Sequence, residues 1–137
     1  MKNATLWLRV SSVVSVLFAA GHAMGGRQDW SPPGETPVLA AMRSTSFDAF
    51  GFSRTYLDFY RGFGHSLTVT LLLQAVVLWQ LGNIARSNPA LVRPIVASFA
   101  IATAVSAMIA CVFLVPHPVV FSVVLIVLLA LAYVAAR

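Results

Sequence analysis

The stretch GFGHSLTVTLLLQAVVLWQLG, residues 62–82, contains no lysine, arginine, aspartate or glutamate. A helix rises about 1.5 Å per residue, so ~20 mostly apolar residues cross the ~30 Å hydrocarbon of a bilayer. One such run is a candidate span, and the chain holds three more, at about 6–25, 94–115 and 119–136. Composition agrees: 59% of the 137 residues are hydrophobic and 9% are charged, against about 25% charged in a soluble domain. A water-soluble protein this apolar would expose large greasy patches. The length holds four spans with short connections and leaves no room for a second folded domain. The expected fold is therefore a single all-α domain over residues 1–137, an integral membrane four-helix bundle.

The connections complete this reading. Arg9, near the start of the first span, can snorkel back to the headgroups. The run 6–25 also has features of a signal peptide, with a basic start and small residues near Ala20 and Gly21, but it is read here as a span. Residues 26–53 form one long polar loop. Within it Asp29 and Trp30 come early, and Pro32, Pro33 and Gly34 favour a turn. Thr36 as N-cap and Pro37 at the first helical position predict a short helix from Thr36 to Met42, with Val38, Leu39 and Met42 on the membrane surface or capping the bundle. Phe47, Phe50 and Phe52 would anchor the loop at the interface. Ser53 is expected to cap the second span, Pro94 to open the third, and "PHP" at 116–118 to form the last turn.

Charge sets the expected orientation. Lys2, Arg9, Arg86, Arg93 and Arg137 fall on one side with no acid among them. Arg27, Arg43, Arg54 and Arg61 fall on the other, balanced by Asp29, Glu35, Asp48 and Asp58. The short loop with Arg86 and Arg93, set against an opposite turn without Lys or Arg, predicts both termini in the cytoplasm and the long loop outside. The net charge of +5 then belongs to a cytoplasmic rim, and no nucleic-acid partner is needed to explain it. The single Cys111 cannot form an intramolecular disulfide and is read as a packing residue. In the third span Ser98, Ala102, Ser106 and Ala110 recur every four residues, a small-residue stripe suited to close helix packing. The fourth span, rich in Val and Leu, reads as lipid-facing or peripheral, with the third packed deeply.

The chemistry-bearing residues gather just before the stretch quoted above, in RTYLDFYRGFGHSL, residues 54–67. At ~100° per residue, taking His65 as zero, Asp58 and Arg54 lie within ~20°, Arg61 at ~40° and Thr68 at ~60°. They form one polar stripe leading into the span, with Tyr56, Tyr60 and Gln74 on the opposite face. Asp58 can pair with Arg54 or Arg61 at helical spacing. The first alternative is a salt-bridged helix terminus at the interface. The second is a site facing the bundle, since an ionisable residue inside a span is costly against lipid and should face inward with a partner. His22, at the end of the first span, is the expected partner, and Ala19, Gly21 and Gly25 would let a helix or ligand approach it. On this reading Asp58, His65 and His22 are the proton-transfer candidates. Arg54, Arg61, Tyr60 and Thr68 are the binding candidates. His22, His65, His117 and Asp58 are ligand types for a metal, and His22 with His65 for a haem. No HxxxH or HxxE spacing supports either, so neither metal nor cofactor is expected. Gln74 should hydrogen-bond across helices.

The residues Gly21, His22 and Gly25, followed by Arg54, Asp58, Tyr60, Gly62, Phe63 and Gly64, resemble a family of small four-span bacterial membrane proteins with no assigned function. The resemblance covers roughly the first 80 residues. It implies the architecture and a membrane location, and no reaction. Such proteins often carry an aromatic residue where this chain has His65, which weakens any scheme using His65 as a metal ligand. The expected function is binding, or acid–base conversion, of a small apolar molecule or lipid near the outer end of the bundle. Membrane lipids, an apolar small molecule and further copies of the chain are the expected partners. An accessory subunit of a membrane complex and an oligomeric transporter are the alternatives.

Overall fold

The computed structural model describes residues 2–25 and 36–137. The elements run α1 (Lys2–Gly25), α2 (Pro37–Ser44), β1 (Ser46–Ala49), β2 (Phe52–Thr55), α3 (Tyr56–Ile84), α4 (Pro89–Phe113) and α5 (Pro116–Ala135). Four helices, α1, α3, α4 and α5, are long and apolar enough to cross a membrane, as a multi-pass membrane protein requires. No more than 33% of the most apolar window of any of them is buried. Much of the rest of their apolar surface is exposed among the described residues.

The chain divides into two compact units. Unit 1 comprises residues 1–18 and 71–137. Its core is a cluster drawn from all four long helices, including Leu8, Leu78, Val92, Val96 and Leu129, each fully buried. Polar contacts between α1 and α3 add to it. Ser12 Oγ donates to the Ala75 carbonyl at 2.7 Å, and Gln74 Nε2 donates to Ser15 Oγ at 3.2 Å, the cross-helix bond expected of Gln74. Phe18 stacks on Phe121 at 4.9 Å between centroids.

Several expectations need correction here. α4 begins at Pro89, so Pro94 lies inside the helix. α5 begins at Pro116, so "PHP" is its first turn and the break falls just before it. Both starts use proline at the first helical position, where its missing N–H costs nothing. The stripe Ser98, Ala102 and Ser106 is exposed, and only Ala110 is buried; α4 instead packs through Val92, Val96, Thr103, Ala107 and Ala110. α5 is not peripheral within this unit, because Ser122, Leu125, Leu128, Leu129 and Ala132 are buried and α4 is its packing partner. Cys111 is exposed. The Arg9 guanidinium lies 4.7 Å from the Trp79 ring centroid, which leaves the expectation that it snorkels untouched.

Unit 2 comprises residues 19–70. The expected turn at Pro32–Gly34, together with Arg27, Asp29, Trp30 and Glu35, lies outside the described residues. The short helix is present as α2, with Thr36 Oγ1 accepting the Leu39 N–H at 3.3 Å and Pro37 at its first position. The rest of the loop is ordered as an antiparallel hairpin, pairing Ser46 with Thr55 and Ala49 with Phe52. Its two turn residues, Phe50 and Gly51, have φ of 56° and 84°, the left-handed pair that a tight hairpin turn requires. Asp48 Oδ1 accepts the Gly51 N–H at 3.1 Å. The hairpin carries Ser53 inside β2, so Ser53 does not cap α3. Thr55 does, in a reciprocal box: its Oγ1 accepts the Asp58 N–H, and Asp58 Oδ2 accepts the Thr55 N–H, both at 3.1 Å.

Candidate functional site

The stripe predicted along α3 divides into two parts. At its inner end, His22 of α1 is half-buried, with Nδ1 3.0 Å from Thr68 Oγ1. Thr68 in turn donates to the Gly64 carbonyl at 3.2 Å. A β-carbon at Gly64 would lie 3.9 Å from His22 Cε1, so the imidazole covers that glycine at contact distance. Within unit 2 the His22–Thr68 pair is a polar contact between α1 and α3, and His65, three residues before Thr68 on the same helix, is exposed.

At the outer end Arg54, Asp58, Tyr60 and Arg61 are all exposed. Asp58 engages Thr55 rather than a bonded arginine, and Arg54 Nη1 donates to the Ser53 carbonyl at 2.7 Å. Seven helical residues place Asp58 and His65 about 10 Å apart along the axis, too far for direct proton transfer. The arrangement brings His22, Gly64 and Thr68 together and leaves Asp58 as a helix cap. His117, in the first turn of α5, belongs to unit 1 and is exposed. Among the described residues no group of three or more His, Cys, Asp or Glu gathers as a metal site. Among the described residues no atom approaches the glycines around His22: a β-carbon at Gly21, Gly25 or Gly62 would meet open space within 4 Å.

A second feature of unit 2 was not read as a site. α2 and the start of α3 border an open, apolar concavity of about 420 Å³ lined by Pro37, Val38, Ala41, Met42, Thr45 and Tyr56. Beside it runs an aromatic chain: Phe47 packs on Tyr56 at 4.9 Å and on Phe59 at 5.6 Å, and Phe59 on Phe63 at 5.0 Å. The hairpin tip adds Phe50, fully exposed, and Phe52, over which the Arg54 guanidinium sits at 5.8 Å. The available signal was weak: SFDA alternates polar and apolar residues as a strand does, but FSRT does not. Comparison with known protein families, curated proteins and solved structures finds no match.

Proposed function

We propose that this chain is a multi-pass membrane protein that binds a lipid acyl chain, or a small apolar molecule of similar shape, in the α2–α3 groove at the membrane surface. The observation that carries this is the groove itself, whose lining includes Tyr56, the first residue of α3. At about 1.5 Å per residue, the 29 residues of α3 extend about 43 Å, roughly 13 Å beyond the hydrocarbon thickness. The Tyr56–Gly64 segment is then at headgroup level, with aromatic rings and arginines suited to that depth. On the charge argument this end is the outer one and both termini are cytoplasmic, in keeping with the resemblance to small four-span bacterial proteins. The geometry favours binding over acid–base conversion, because Asp58 is committed to Thr55.

The test is photocrosslinking in membranes with a diazirine-bearing fatty acyl lipid, followed by peptide mapping. Labelling should concentrate on the peptides containing Val38–Met42 and Tyr56, and Ala41→Trp, which fills the groove, should lower it severalfold. Labelling spread evenly over α4 and α5 would overturn the reading. A second reading, assembly with another copy or a partner subunit, is favoured by one observation: Ser98, Ala102 and Ser106 stand exposed in line on α4. Ala102→Leu would then dissociate an assembly without unfolding the chain.

A further inference from the structure

Unit 1 carries Lys2, Arg9, Arg86, Arg93 and Arg137 and contains no aspartate or glutamate. Two of these arginines are held against the bundle. Arg9 is half-buried, 4.7 Å from the Trp79 ring centroid, and its Nη2 donates to Asn83 Oδ1 at 3.2 Å. Arg93 is half-buried, 4.4 Å from the Tyr133 ring centroid. In both, Nε is buried and has no hydrogen-bond partner among the described residues. The residues that precede Arg9, Trp79, Arg93 and Tyr133 in the chain, Leu8, Leu78, Val92 and Ala132, all belong to the same buried cluster.

A cation drawn partly out of water needs a compensating anion, and no acidic side chain of this unit supplies one. A guanidinium fixed over a ring face keeps its planar fork oriented for phosphate oxygens. Trp and Tyr are the side chains that settle where hydrocarbon gives way to headgroups. We propose that Arg9 with Trp79 and Asn83, and Arg93 with Tyr133, bind the phosphate headgroups of anionic membrane lipids. This rests on the chain's being a membrane protein and is independent of the groove in unit 2.

The test reconstitutes the full chain in nanodiscs containing phosphatidylglycerol and phosphatidylcholine and counts retained lipids by native mass spectrometry. Phosphatidylglycerol should be retained over phosphatidylcholine. Arg9→Gln and Arg93→Gln should each weaken that retention about fivefold, the effect of one charge near the surface, while Arg86→Gln, in an exposed loop, leaves it unchanged. Arg9→Lys and Arg93→Lys keep the charge but lose the planar fork. They should lose part of the preference, and they serve if a Gln variant fails to fold. Equal retention of the two lipids, or Gln variants that match the parent, would overturn the proposal. So would displacement of the lipid by inorganic phosphate alone, which would assign the site to the free ion. A chain that stays dispersed in buffer without detergent would overturn the membrane reading itself, an outcome distinguishable from loss of lipid preference.

Discussion

His22 and Thr68 are joined by a 3.0 Å contact whose direction follows from the hydroxyl's other bond. Thr68 has one proton, and it is given to the Gly64 carbonyl. With that proton on the carbonyl, Nδ1 is the nitrogen of His22 that donates in this contact, and the ring's roles follow its tautomer. Nitrogen-15 NMR of the labelled chain should report the Nδ1–H tautomer. Thr68→Val should cost about 1–3 kcal/mol, because a half-buried donor loses its acceptor, and Thr68→Ser should restore most of it. An Nε2–H tautomer in the parent would show that the hydroxyl donates to the ring instead.

The start of α3 depends on Thr55. Thr55→Ala should destabilise this end by roughly 1 kcal/mol, as for other lost N-caps. Amide exchange should quicken at residues 56–60 and stay unchanged beyond residue 71. Asp58→Asn should weaken the same turn, since the amide is a poorer partner for the Thr55 N–H. A variant that loses ligand binding with unaltered exchange would give the carboxylate a role beyond capping.

Two glycines of α3 should respond in opposite ways. A β-carbon at Gly82 would lie 3.4 Å from Arg9 Cγ and 3.5 Å from the Thr5 carbonyl, whereas one at Gly62 would meet nothing within 4 Å. Gly62→Ala should therefore stabilise by about 0.5–1 kcal/mol through the ordinary helix preference. Gly82→Val should destabilise by about 1–3 kcal/mol through overpacking. Thermal unfolding in detergent measures both, and a destabilising Gly62→Ala would place a partner surface at that position.

Orientation is tested by cysteine substitution in a Cys111→Ala background. A probe at Ser44, the last residue of α2, should react with an impermeant reagent from outside, and one at Ser87, between α3 and α4, should not. The reverse pattern would invert the topology and put the groove on the cytoplasmic face.

The four long helices were legible because their signal is redundant: each apolar run is long enough to span and is closed by polar residues or proline. α2 was legible for a local reason, Thr36 and Pro37 standing together. The hairpin was hidden by its turn. Phe50–Gly51 places a bulky residue at positive φ, where Asn–Gly or Asp–Gly would have announced the turn. With the turn unread, the phenylalanines of both strands passed for isolated anchors, and Ser53 was read as the cap in place of Thr55. The stripe on α3 was readable from spacing, and Thr68 and His22 do meet. The capping of Asp58 was not anticipated, although Thr55-x-x-Asp58 has the form of a capping box. The groove depends on the packing of α2 beside Tyr56, which periodicity does not encode.

The absence of acidic side chains from unit 1 has a consequence for voltage. Its cationic residues have no carboxylate from their own unit to accompany them through hydrocarbon. A membrane potential of 100 mV acts on each transferred charge with about 2.3 kcal/mol, so five charges experience roughly 11 kcal/mol. In unit 2 four acids stand against four arginines, and the same field exerts almost no net force on them. With both termini cytoplasmic, as proposed, a membrane potential would oppose moving the charges of unit 1 across the bilayer and act little on the balanced set of unit 2.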